Sequence, residues 1–79
     1  MDQIFIGVDT HKANHIAVAI DAQGARLGTM TIAANEDGYR RLDAWAAGLG
    51  RVIAFGIEGT GSYGAGLSRD LQARGHTVL

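Results

Sequence analysis

A chain of 79 residues, 47% of them apolar, with a net charge of −1 and no cysteine, is one small globular domain. The near-neutral balance leaves no electrostatic footprint for nucleic acid over the whole chain, so any DNA contact must be local or cation-assisted, and without cysteine there are no disulfides or thiolate metal sites. No apolar run approaches the ~18 residues of a membrane span, and Met1-Asp2-Gln3-Ile4 lacks a basic leader, so a cytoplasmic address without a membrane partner is expected.

The first apolar run, Ile4-Phe5-Ile6-Gly7-Val8-Asp9, ends in an acid. Strand alternation places Ile4, Ile6 and Val8 on one face, and Phe5, Gly7 and Asp9 on the other. A short polar turn, Thr10 to Asn14, precedes a second strand, His15 to Ile20. Asp21-Ala22-Gln23-Gly24 forms the next turn, and Arg26 to Ala33 the third strand. Two short connections in succession predict an antiparallel meander. Asn35 is placed to cap a helix, with Glu36 and Asp37 in its first turn and Gly48 and Gly50 at its end. Tyr39, Leu42, Trp45 and Leu49 mark its buried face.

Val52 to Ile57 is a continuous apolar run, as expected of a strand covered on both faces. A second helix is expected from about Ser62 to Arg74, with Ser62 as its N-cap, Leu67 and Leu71 inward and Gly75 at its end. His76 to Leu79 starts another strand, giving the order βββαβαβ. A strand reached from the meander through a helical crossover runs parallel to a meander strand. If that neighbour is the first strand, Asp9 and Glu58 emerge side by side at one end of the sheet.

Glu58 is followed by Gly59-Thr60-Gly61-Ser62-Tyr63-Gly64, whose glycines let the backbone approach a ligand and whose N–H groups favour anions. The spacing matches the dinucleotide fingerprint G-x-G-x-x-G. Glu58 would oppose a pyrophosphate, however, and the motif follows a meander instead of opening the fold, so that reading is rejected. A ligand-free glycine turn is the plain alternative. Two adjacent carboxylates repel unless a divalent cation neutralises them, and hard oxygen donors suit Mg²⁺ or Mn²⁺. Asp9 and Glu58 are therefore the candidate catalytic and metal-binding residues, with Thr10, Lys12, Gly59, Thr60, Gly61 and Ser62 near the phosphate or DNA. Asp21 lies at the far end of its hairpin, and Glu36 and Asp37 serve the helix. His11, His15 and His76 read as partly exposed structural residues, and Arg40 and Arg41 as solvated. Ser62 has no base beside it and is not a candidate nucleophile.

Ile6-Gly7-Val8-Asp9-Thr10-His11-Lys12, His15-Ile16-Ala17-Val18 and Glu58 to Gly64 closely resemble the DEDD transposases of the insertion sequence one-ten type, over essentially the whole chain. The resemblance implies a mixed-sheet α/β fold of the ribonuclease H and Holliday-junction-resolvase kind. It further implies a transposase or recombinase that cuts and rejoins DNA phosphodiesters with divalent cations held by four acids. Asp9 and Glu58 match the first two. Donor and target DNA and a guide RNA are the implied partners. The other two aspartates of the family sit on a later helix, beyond Leu79. Residues 1–79 are thus expected to be the N-terminal portion of the catalytic domain, inactive alone and prone to self-association through an uncovered sheet face or edge. Two alternatives stand beside this reading. An actin- or sugar-kinase-like ATPase half also opens on Ile-Gly-Val-Asp but needs glycines where Thr10-His11-Lys12 stands, and a non-catalytic binding module needs no metal.

Overall fold

The computed structural model describes residues 2–59 and 62–79. Strands β1 (Gln3–Thr10), β2 (Asn14–Asp21) and β3 (Arg26–Ala33) make the meander, helix α1 (Glu36–Leu49) leads to β4 (Arg51–Glu58), and α2 (Ala65–Ala73) follows. The sheet order is β3-β2-β1-β4, with β4 parallel to β1 as the crossover rule requires. The expected last strand is reduced to a parallel bridge between Val78 and Phe55. There the Phe55 N–H donates to the Thr77 carbonyl and the Leu79 N–H to the Phe55 carbonyl. This is the mixed α/β arrangement that the ribonuclease H-like reading calls for, and the sheet does not close into a barrel.

Local chemistry explains most of the boundaries. β1 alternates strictly, with Ile4, Ile6, Val8 and Thr10 buried and Gln3, Phe5, Gly7 and Asp9 exposed. Asn35 caps α1 by accepting from the Gly38 N–H at 2.9 Å. The helix runs through Gly48 and ends at Gly50, where a Cβ would press on the Asp2 carbonyl and the Ile4 side chain. At the end of α2, Gly75 takes φ 93°. Its N–H donates to the Gln72 carbonyl while the His76 N–H donates to the Leu71 carbonyl, the crossed pair of a Schellman ending. The start of α2 differs from expectation. Gly64 is the N-cap and has no side-chain capping bond. Ser62 belongs to the preceding turn, its carbonyl accepting from the Ala65 N–H, and so does not cap the helix.

One core unites Ile4, Ile6 and Val8 of β1, Ala17 and Ala19 of β2, Ile32, Phe55, and the inner faces of both helices through Tyr39, Leu42, Ala46, Leu67 and Leu71. Both helices therefore cover the same face of the sheet. The opposite face carries Phe5, Ile16, Ile20 and Leu27 at 36–42% exposure. The expectation that β4 is covered on both faces is corrected: among the described residues only one face has a helical layer. An apolar run reports that a strand avoids water. β4 does so partly in the plane of the sheet, between β1 and the Val78 bridge.

Candidate functional site

Parallel pairing of β1 with β4 makes Asp9 and Glu58 direct partners in register. Neighbouring strands lie about 4.8 Å apart, so both acids leave the sheet side by side. Asp9 shares a face with Phe5 and Gly7, which is the face opposite the helices, and both acids are exposed.

Thr10, one residue further, points the other way. It is buried, and its hydroxyl donates to the Glu58 carbonyl at 2.9 Å, bonding the last residue of β1 to the last residue of β4. This inward placement differs from the reading of Thr10 as a phosphate neighbour. The hydroxyl is already committed to the backbone that carries the second acid. Gly59 then leaves the strand at φ 143°, packed so closely on Thr10 that a Cβ would overlap the hydroxyl oxygen.

Two hollows meet at Glu58. On the open face, Gly7 and Gly56 stand opposite each other in register, and a Cβ at either position would touch nothing. With Ile16 and Val18 as a wall, they form a shallow trough running to Asp9 and Glu58. The second is a cleft beside Thr10, Glu58, Gly59, Ser62 and Ser68. Lys12 is exposed in the β1–β2 turn, and Ser62 and Gly59 are exposed beside the cleft. Thr60 and Gly61 lie outside the described residues.

Of the three histidines, His15 departs from the expectation of partial exposure, whereas His11 and His76 meet it. His11 is exposed, and its Nε2 lies 3.1 Å from Asp9 Oδ2. Facing a carboxylate, that nitrogen carries the proton. His15 is fully buried, on the same face as Ala17 and Ala19, with its ring parallel to that of Tyr39. Its Nδ1 accepts from the His11 backbone N–H at 3.3 Å, and its Nε2 has no partner. Burial, opposed by the Asn14 backbone carbonyl, which favours the protonated ring, and helped by the nearby His11, holds the His15 pKa below its ordinary value. His76 is half-buried, edge-on to Phe55 and 2.6 Å from Asp43. Sequence reading missed the His11–Asp9 pair. The available signal was their spacing, since residues two apart at a strand end share a face.

The other acids keep local roles. Asp21 accepts from the Gln23 and Ala25 N–H groups in its turn. Asp37 holds Arg40 and Arg41, and those bonds keep its pKa below the usual carboxylate range. The two arginines are thus paired as well as solvated. Among the described residues, no three histidine, aspartate or glutamate side chains gather into a metal cage. No described helix is long and apolar enough to cross a membrane.

Comparison with known proteins adds one finding. A family model described as transposase, of the DEDD and IS110 kind, matches residues 6–79, a stretch that contains both acids and the glycine-rich loop. Comparison with curated proteins gives no match. The chain therefore belongs to the DEDD transposases of the insertion sequence one-ten (IS110) type.

Proposed function

We propose that this chain carries the first two members of an acidic tetrad in a DNA-cutting and rejoining enzyme, with Asp9 and Glu58 as ligands of Mg²⁺ or Mn²⁺. The observation that carries this reading is the in-register pairing of two strand-end acids on one exposed face. The donor chemistry fits: carboxylate oxygens are the hard ligands these cations prefer, and the exposed position lets a cation keep its remaining waters. When bound, the cation polarises the scissile phosphate and increases the acidity of the attacking hydroxyl. This chain's own contribution is positional. Asp9 and Glu58 would hold the cation, while the Thr10–Glu58 bond keeps the two strand ends in register. Lys12, Gly59 and Ser62 are the residues that would meet the DNA backbone, and Thr60 and Gly61 belong with them by their place in the sequence.

Two carboxylates supply too few oxygens for tight binding, so the 79-residue chain by itself binds the cation weakly and cleaves no DNA. Donor and target DNA are its substrates and a guide RNA its partner. The uncovered apolar face also favours a second copy of the chain. A sugar-kinase-like reading is disfavoured because Thr10-His11-Lys12 stands where phosphate-holding glycines are needed.

Calorimetric titration with Mn²⁺ tests the proposal. Weak binding is expected, lost in Asp9→Asn and Glu58→Gln while thermal stability holds or rises as repulsion is relieved. Sub-micromolar affinity that survives Asp9→Asn assigns the ligands elsewhere, and robust DNA cleavage by this chain shows that two acids suffice.

A further inference from the structure

We propose that His11 is a positioning residue for Asp9, and that buried His15 holds His11 in place. The proposal rests on the reading of Asp9 as a metal ligand.

Asp9 presents a side chain that is 63% exposed, and an unrestrained carboxylate on the surface samples several rotamers. The Nε2–H of His11 holds Oδ2 at 3.1 Å and leaves Oδ1 for a cation. A metal-binding carboxylate that is already oriented by a hydrogen bond loses less freedom on binding. His11 is itself 55% exposed, so its ring restrains nothing unless its backbone is fixed. It is fixed from two sides. The His11 N–H donates to the Asn14 carbonyl at 3.1 Å and to His15 Nδ1 at 3.3 Å.

His15 is a rigid anchor, fully buried on the helix-covered face with its ring parallel to Tyr39. Accepting at Nδ1 leaves the proton of its neutral form on Nε2, which is buried without a partner. An unpaired buried donor is unfavourable, and an apolar side chain of similar size would avoid that cost. Stability alone therefore does not account for histidine at this position. What histidine adds is the Nδ1 acceptor aimed at the turn. The sequence of contacts thus runs from the core through His15 to the His11 backbone, and from the His11 ring to the acid.

The test is Mn²⁺ titration of the 79-residue chain, read by the electron paramagnetic resonance of free Mn²⁺, with melting curves confirming the fold of each variant. Partners that orient metal ligands typically change affinity 10–100-fold, and for this exposed pair His11→Ala should weaken binding about 10-fold. His11→Gln places an amide N–H where Nε2–H was and should restore most of the affinity. His15→Leu should weaken binding in the native background and not at all in the His11→Ala background. His15→Asn, whose Oδ1 replaces the Nδ1 acceptor, should restore it. The His11 arm stands even if His15→Leu does not fold, because the His11 side chain is exposed. Unchanged affinity in His11→Ala, additive effects of the two histidines, or nitrogen hyperfine coupling showing His11 bound to the metal overturns the proposal. If Asp9→Asn itself leaves Mn²⁺ binding intact, the acid-pair reading falls and this proposal with it.

Discussion

The Thr10 hydroxyl donates to the carbonyl oxygen of Glu58 at 2.9 Å, so a buried side chain of one strand holds the backbone of the next at the point where both acids emerge. Thr10→Val keeps the shape and removes the donor, leaving that carbonyl without its partner. A loss of about 1 kcal/mol is expected, which for a domain of this size lowers Tm by roughly 4–8 °C. Thr10→Ser should retain more of the stability. Thermal melts by circular dichroism check both, and a Thr10→Val melt equal to wild type means the bond contributes nothing net.

Two glycines near the acids should respond in opposite ways. Gly59→Ala forces a Cβ into the Thr10 hydroxyl at φ 143° and should cost at least about 2 kcal/mol. Gly7→Ala meets no atom and should be neutral or stabilising by about 0.5–1 kcal/mol, since alanine loses less backbone entropy in a strand. Urea midpoints of the two variants provide the comparison. Equal losses would mean that the local backbone, and not the open trough, sets the tolerance at Gly7.

Acid should weaken the fold through His15. Its folded-state pKa lies below the unfolded value of 6.5, so between those two values the unfolded chain binds more protons. The stabilising contribution of neutral His15 is complete above about pH 6.5 and declines as pH falls towards the folded-state pKa. Protonation also turns Nδ1 into a donor facing the His11 N–H, which breaks that bond. Urea midpoints measured between pH 5 and 8 should show this decline in the native chain and a flatter profile in His15→Leu. An unchanged slope in that variant would place the acid sensitivity on other groups.

The open face predicts association. Phe5 and Ile20 face each other in register, with Ile16 and Leu27 also exposed nearby. At ~25 cal/mol per Å², a few hundred Å² of apolar surface corresponds to several kcal/mol if buried against a second copy. Sedimentation equilibrium should show a concentration-dependent dimer, dispersed by the Phe5→Lys, Ile20→Lys double variant. A native chain that stays monomeric at high micromolar concentration would rule out the contact.

The local features of this protein were legible because they depend on neighbours in sequence. Alternation in Gln3–Thr10 set its two faces, Asn35 supplied the cap of α1, and Gly75 supplied the ending of α2. Connectivity placed β4 parallel to a meander strand, and the structure makes that neighbour β1, which brings Asp9 and Glu58 together. The faces of β2 were not legible. Both are apolar, and the larger set, Ile16, Val18 and Ile20, lies on the open side, while Ala17 and Ala19 face the helices together with His15. Which side of such a strand is buried depends on where α1 and α2 pack, a long-range outcome. The burial of His15 follows from that packing and so belongs to the tertiary structure alone, whereas the inward side of Thr10 follows from the alternation of β1 and the pairing of His11 with Asp9 from their spacing.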